Sequence, residues 1–425
     1  MSSRKTWTRL VVCALFGLLL SWVVSCSTTP SISGSQEIEF WTMQLQPQFT
    51  DYFKNLISSF EAENSGLIVR WVDVPWSAME SKILTAVAGK TAPDVVNLNP
   101  DFASQLASRN AWLELDSKIS PQVRQQYLPN IWKASTLNDK SFGIPWYLTT
   151  RVTIYNADLF KKAAISNPPR TYEELAQVAK IVKEKTGKYA FFVTLVPGDS
   201  GEVLESLVQM GVQLVDAQGK AAFNTPAGIA AFKYWVDLYK NGLLPKEVLT
   251  QGHRQAIQLY QSGETALLAA GSEFFGTIAK NAPAIAQVSA ISPQITGVTG
   301  KKTVAVMNLV IPRDTAKSDN ALKFALFVTN NKNQLAFAKA ANVLPSTVES
   351  LQDSYFKSAD ANASSADKAR IVSASQMQQA EVLVPAMRDL NKLQKAIYEN
   401  LQSAMLGNKT VEQAVADAAT QWNSR

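Results

Sequence analysis

Between Glu37 and Leu98 the hydrophobic period of the chain changes from one segment to the next. Glu37-Ile38-Glu39-Phe40-Trp41-Thr42 alternates, as a strand does. Phe49, Tyr52, Phe53, Leu56, Ile57 and Phe60 then recur at three-and-four spacing, one face of a helix. Leu67 to Val74 is rich in β-branched and aromatic residues and reads as a second strand. Ser77-Ala-Met-Glu80 has the spacing of a capping box and predicts a helix burying Met79, Ile83, Leu84 and Val87. Gly89 stops it, and Pro93 to Leu98 reads as a third strand. Strand, helix, strand, helix, strand builds a parallel sheet with helices on its faces, an α/β layer.

The alternation returns further on. Val152–Tyr155, Tyr189–Thr194, Glu264–Ala270 and Thr303–Ile311 read as strands. Thr171-Tyr-Glu-Glu174 caps a helix, and Thr225-Pro226 supplies an N-cap with proline at the first helical position. A further helix is expected from Ser318 to Thr329, and the tail is helical, with a capping box at Thr410-Val-Glu-Gln413. No repeat or low-complexity block interrupts the pattern.

The N-terminus constrains location. Arg4, Lys5 and Arg9 precede an apolar run from Leu10 to Val24, which ends at Val23-Val24-Ser25-Cys26. These are the parts of a secretory signal, too short for a comfortable membrane span and followed by Ser/Thr/Pro rather than a basic stop. A signal peptidase I site would leave Cys26 incidental. Val-Val-Ser-Cys also resembles the lipobox of bacterial lipoproteins, which implies a signal peptide over 1–25 and a diacylglyceryl-modified Cys26. Two or more acyl chains, at about 0.8 kcal/mol per buried CH₂, hold a protein at a membrane surface. Residues 26–36 then read as a lipidated cysteine and flexible tether. Cys13 and Cys26 are the chain's two cysteines, so the mature protein would keep no free thiol and no disulfide. Roughly 400 mature residues suffice for two domains with their own cores.

Composition narrows the chemistry. The formal charge of +6 falls to about +3 once the three basic residues before Cys26 are gone. That is too mild for a nucleic-acid reader, and no Lys/Arg stripe is visible. His253 is the one histidine, which excludes an HExxH zinc site and any Cys/His zinc cluster; no metal or cofactor is expected. Its neighbours Gly252, Arg254 and Gln255 form no nucleophile elbow, so a solvated or structural role is expected. Gly297-Val-Thr-Gly300-Lys301-Lys302-Thr303 lacks the spacer of a phosphate-binding loop and reads as a basic turn before a strand.

In open α/β sheets small ligands bind beyond the carboxyl ends of the strands. The residues expected there are aromatics, amides and isolated carboxylates: Trp41, Gln44, Asn99, Asp101, Trp146, Tyr147, Glu273, Phe274, Phe275 and Asn308. Flat rings suit the apolar face of a pyranose, and amides and carboxylates suit its hydroxyls.

Several segments carry a family resemblance. Ile38 to Thr42 is similar to the opening strand of the family 1 extracellular solute-binding proteins, which include maltose-type receptors. Thr85-Ala-Val-Ala-Gly-Lys-Thr-Ala-Pro-Asp-Val-Val96 resembles their most specific segment. Gly143 to Tyr147 with Tyr155 to Phe160, Pro168 to Leu175, Gly263 to Leu267 and Gly407 to Ala414 resemble further family segments in the same order. The resemblance spans about Ile38 to Trp422.

It implies an α/β fold of the type II periplasmic-binding-protein kind. Two lobes, each a mostly parallel sheet flanked by helices, would be followed by C-terminal helices and close on a ligand by hinge motion. The N-lobe would comprise 37–145 plus 305–345, and the C-lobe 146–304 plus 346–425. Carried over by position, Asp101 matches a family carboxylate that hydrogen-bonds sugar hydroxyls. Glu273 and Phe275 fall where maltose-type receptors place two aromatics after the Gly271 turn. Glu273 departs from that pattern, which points away from a maltodextrin and leaves a smaller polyol or disaccharide open; Phe274 is the neighbouring ring. The implied function is non-enzymatic: a monomeric receptor of an ABC importer, exported to the periplasm or the outer membrane face, passing a sugar to the permease's transmembrane subunits. A polyamine receptor of the same fold and an exported glycosidase using Asp101 and Glu273 are the rival readings.

The anchor is open to test: Cys26→Ser is expected to move the protein from the membrane fraction to the soluble fraction, and continued retention would count against lipidation.

Overall fold

The computed structural model describes residues 36–424 apart from 198, 361–362 and 385–386; the side chains of residues 36, 100 and 101 also lie outside the description. The signal segment 1–25, Cys26 and the tether up to residue 35 are outside the described residues. Among those described, no helix is long and apolar enough to cross a membrane.

The first alternation folds as its periods dictate. β1 (Gln36–Met43), α1 (Thr50–Glu63), β2 (Leu67–Val74), α2 (Trp76–Ala88), β3 (Val95–Leu98) and α3 (Pro100–Ala107) follow in order. β1 pairs in parallel with β2, Met43 opposite Val74, and with β3, Phe40 opposite Val95. Both faces of this layer are covered, as parallel sheets require. Ile38 and Phe40 point into a core with Phe53, Phe60, Phe324 and Phe337. Trp41 and Met43 point the other way, onto Met79, Ile83, Leu106 and Trp112. Asp94, in the Pro-Asp-Val-Val segment, is a fastener: its Oδ2 accepts from Glu39 N (2.9 Å) and Lys317 Nζ (3.1 Å), and Oδ1 from Thr315 Oγ1 (2.5 Å).

The two lobes are joined through β4 (Ile144–Asn156), a strand of 13 residues. In the C-lobe follow α4 (Tyr172–Thr186), α5 (Glu202–Gln209), α6 (Pro226–Lys240), α7 (His253–Gln261), β5 (Leu267–Gly271), α8 (Phe274–Asn281) and β6 (Ser289–Pro293). The chain then runs through β7 (Lys302–Val310), α9 (Ser318–Val328), α10 (Asn331–Ala341), β8 (Leu344–Pro345), α11 (Ser365–Ser375), β9 (Ala380–Glu381), α12 (Leu390–Met405) and α13 (Val411–Asn423). One nine-stranded sheet runs β8-β4-β7-β3-β1-β2, with β9 beside β7 and with β5 and β6 beside β4. The first half of β4 (Ile144 to Thr150) pairs with β7; its second half (Arg151 to Asn156) pairs with β5 and β6. The two lobes therefore share one strand, and their cores meet between Leu148 and Val152. The second core gathers Val182, Phe232, Trp235, Tyr260 and, from the terminal helices, Tyr398 and Trp422. Phe356, Met377 and Ala380, beyond the expected N-lobe segments, pack into the N-lobe core.

Three local expectations are corrected. The parallel pairing is confined to β1, β2, β3 and the short β9–β7 contact, because the crossover strands β4 and β7 and the C-lobe strands β5 and β6 pair antiparallel. Ser77 does not cap α2: Pro75, extended at ψ 140°, is the N-cap with no side-chain bond, and Trp76 already opens the helix. Tyr189–Thr194 is not a strand beyond a parallel bridge of Tyr189 to Thr265, because by Leu195 the backbone donates to Val248 O (3.0 Å) instead. The other caps form as read, with Thr171 and Thr225 accepting from the third residue on and a reciprocal box at Thr410 and Gln413. The basic turn at Gly300, at φ 65°, leads into β7.

Trp146 stands in the N-lobe core with no exposed surface, stacked on Phe337 at 4.9 Å. Trp146→Ala should therefore cost about 3–5 kcal/mol in urea unfolding. A loss within experimental error would remove the ring from the core.

Candidate ligand cleft

The carboxyl ends of β1, β2 and β3 lie side by side, so Gln44, Pro75-Trp76 and Asn99 to Asp101 line one edge of the N-lobe. Asp73 organises that edge. Its Oδ1 accepts from Thr42 Oγ1 (2.6 Å) and Leu45 N (2.9 Å), and its Oδ2 from Gln46 N (2.9 Å). The loop after β1 is thereby fixed, with Gln44 held at φ 53°. Gln44 Oε1 in turn accepts from Trp76 N (3.3 Å).

Tyr147 ties this edge to the other lobe. A bulge in β4 between Pro145 and Tyr147 makes Trp146 the extra residue. Strict alternation is broken there, and both Trp146 and Tyr147 touch Phe337. Tyr147 is half-buried, and its hydroxyl is pushed up by burial and then by the charges of Glu273 from the C-lobe and Asp73 from the N-lobe. Next to Glu273, Ser272 Oγ donates to Asn342 O (3.3 Å) and Asn342 Nδ2 donates to Ser272 O (3.4 Å), so the turn after β5 touches the C-terminus of α10.

The C-lobe wall is built around Arg151, where β4 passes from one half of the sheet to the other and pairs with Gly271. Arg151 Nε binds Glu205 Oε2 at 3.0 Å. Burial opposes its charge, but Glu205 and Glu202 more than offset this and raise its pKa. Burial pushes the Glu202 carboxyl up to about 7, against the pull of Arg151 and with the help of Glu205 and Asp199. Glu273 is likewise pushed up to about 7 by burial, opposed by its own backbone N–H and by Arg151. Its Oε2 is buried with no hydrogen-bond partner. Gly271 lets that carboxylate fold back, since a Cβ there would collide with it. His253 opens α7, its backbone N–H donating to Asp199 Oδ1 (2.7 Å) and its ring edge-on to Phe274 at 6.0 Å. Burial and Arg151 hold His253 down to about 4, so its ring is neutral, and its buried Nδ1 has no partner.

The ten residues expected at strand ends divide. Gln44, Asn99, Tyr147, Glu273 and Phe274 keep some exposure at the facing edges, and Asn99 Oδ1 caps α3 by accepting from Phe102 N (2.8 Å). Asp101 starts α3, and its side chain lies outside the described residues. Trp41, Trp146, Phe275 and Asn308 are buried. Trp41 Nε1 donates to Glu39 Oε1 (2.6 Å) under Lys82, whose Nζ lies 4.1 Å from the ring centroid. Asn308 Oδ1 accepts from Ser135 Oγ (2.5 Å) and its Nδ2 donates to Val306 O (3.3 Å), so its polar atoms are already used. Arg151, Glu202, Glu205, Asp199 and the part played by His253 escape sequence reading. One signal was present: an arginine opening the apolar run Val152 to Tyr155.

These groups give a signed pH dependence. Between about 4.5 and about 7 folded Glu273 holds a proton that the unfolded chain has released. Its contribution to stability is full below the lower value and lost as pH rises through the upper one; Glu202 behaves alike. His253 runs oppositely, its contribution present above about 6.5 and lost as pH falls through about 4. Glu273→Gln should therefore raise Tm by a few degrees at about pH 8 and change it little at about pH 4.5. An equal shift at both pH values would mean that Glu273 is not desolvated.

Comparison with known proteins agrees with this fold. The sequence model of the bacterial extracellular solute-binding protein family matches residues 46–335. The crystal structure of a candidate oligosaccharide periplasmic-binding protein from Synechococcus sp. MITs9220, in complex with zinc, superposes with a TM-score of 0.86 at 46% identity, covering 91% of this chain and 98% of that one. The cyclic alpha-maltosyl-1,6-maltose binding protein of Arthrobacter globiformis has the same fold, with a TM-score of 0.78 at 21% identity over 92% of this chain and 99% of that one. The diacetylchitobiose binding protein DasA of Streptomyces coelicolor is 26% identical over 332 residues, 74% of each chain. With two lobes sharing a crossover strand and the family's sequence model matching residues 46–335, the chain belongs to the bacterial extracellular solute-binding protein family.

Proposed function

We propose that the protein is the sugar-binding receptor of an ABC importer, taking a small sugar, disaccharide or polyol between its hinged lobes and delivering it to the permease. It is an exported monomer, anchored through Cys26, and catalyses no reaction. The observation that carries this reading is Glu273: a desolvated carboxylate with an unpartnered oxygen, placed where Tyr147 feels the charges of both lobes. Such an acceptor is completed by a ligand hydroxyl. Gln44, Asn99, Asp101 and Phe274 supply the remaining polar and aromatic contacts. Ligand touching both edges favours the closed form only by its differential affinity for that form.

The acids around Arg151 favour one second reading, a cationic solute such as a polyamine. The zinc in the Synechococcus crystal structure gives a further cation to try, although among the described residues no three His, Cys, Asp or Glu side chains are grouped to hold a metal ion.

A thermal-shift screen of the processed protein against sugars, polyols, polyamines and zinc chloride separates these readings. A sugar or polyol should raise Tm progressively once its concentration exceeds its Kd. A shift with polyamine or zinc alone would overturn the sugar reading. Asp101→Ala should weaken the responding sugar without lowering the Tm of the free protein; unchanged affinity would remove Asp101 from the site.

A further inference from the structure

Trp76 is the one aromatic residue among those described whose side chain stands open to solvent, at 45% exposure. The other described tryptophans are buried or half-buried, most of them in the cores on either side of the sheets. A single exposed apolar side chain is ordinary on a protein surface. Three features set this one apart. It stands at the carboxyl-terminal end of β2, level with the end of β1 by the pairing of Met43 with Val74, and so on the cleft edge of the N-lobe. Its backbone is fixed, since Pro75 precedes it at φ −55°, it opens α2, and its N–H is held by Gln44 Oε1. Its immediate neighbours are exposed polar side chains: Gln44, and Ser77, whose hydroxyl is not used to cap the helix.

From this geometry we infer that the Trp76 indole is a stacking platform for a pyranose ring on the N-lobe wall, with Gln44 and Ser77 beside it to meet the equatorial hydroxyls. The inference rests on the sugar-receptor reading and adds the residue that selects a ring-shaped ligand over a linear polyol. An apolar sugar face covers the indole while its rim of hydroxyls needs hydrogen-bonding groups in the same plane, and this edge offers both. The indole has only two side-chain torsions to immobilise, and its backbone is already anchored, so little ordering cost offsets the contact.

The test uses the processed full-length protein on an array of soluble mono- and oligosaccharides, with Trp76→Ala and Trp76→Phe alongside wild type. The best-bound glycan is then titrated by calorimetry. Trp76→Ala should weaken that glycan at least about tenfold, the loss expected when an anchoring tryptophan is truncated. Trp76→Phe should keep most of the affinity, and neither change should lower the Tm of the free protein, because the ring supports no core. Glycan binding should also protect Trp76 from acrylamide quenching, seen as a loss of the quenchable fraction that is absent in Trp76→Ala. Unchanged glycan affinity in Trp76→Ala would overturn the inference and leave the sugar-receptor reading intact, as would lost uptake with binding preserved, which would assign the ring to permease contact. Wild type binding no glycan at all would overturn that reading, and this inference with it, before any variant is compared.

Discussion

The structure depends on one strand serving two lobes. β4 pairs with β7 over its first half and with β5 and β6 over its second, and its partners change at Thr150 and Arg151. A half-buried guanidinium at that point would be costly on its own. It is retained with a bonded carboxylate, Glu205, and with Glu202 and Glu273 near enough to exchange Coulombic influence with it. The charge at the crossover and the chemistry of the cleft wall are thus one arrangement. Removing Arg151 would leave desolvated carboxylates facing one another, which disfavours both the local fold and any fixed ligand geometry.

The same arrangement explains why the wall can accept hydrogen bonds. Glu205 is committed to Arg151 at 3.0 Å, whereas Glu273 keeps a buried oxygen without a partner. A buried oxygen without a partner has capacity to spare for a solute hydroxyl. Tyr147, re-aimed by the bulge at Trp146, lies between that carboxylate and Asp73, which itself holds the loop after β1. Each lobe therefore contributes a charge that acts on Tyr147. The bonds between Ser272 and Asn342 already tether the lobes beside it.

Most of the architecture was legible in the sequence because it depends on local period. The strands at Gln36–Met43 and Leu67–Val74, the helix opened by Thr225-Pro226 and the box at Thr410 follow from patterns a few residues long. Ser77 misled because capping spacing says nothing about the proline two residues earlier, which sets where the chain may turn helical. Of the candidate site, the partly exposed positions Gln44, Asn99, Tyr147, Glu273 and Phe274 were legible as strand ends. Trp146 and Asn308 lie at strand ends too, but a bulge and a cross-sheet bond to Ser135 take them inward, and neither has a sequence signature. The Arg151 cluster joins residues 151, 199, 202, 205, 253 and 273, so only the fold could assemble it.

Charge balance in the cluster bears on which solute suits it. Glu202, Glu205 and Glu273 face a single guanidinium, Asp199 acts on Glu202 beside them, and His253 is held neutral. Were all four carboxylates ionised, the wall would carry a net negative charge and a cation would be its natural complement. Burial, however, raises both Glu202 and Glu273 to about 7, so each takes up a proton readily near neutrality and relieves that charge without a ligand. A polyamine would have to compete with protons for these sites and surrender its own hydration on entry. A neutral hydroxyl has no such competition: it can donate to the ionised form of Glu273 or accept from the protonated one. The raised carboxylates therefore weigh toward a neutral, hydroxyl-rich solute.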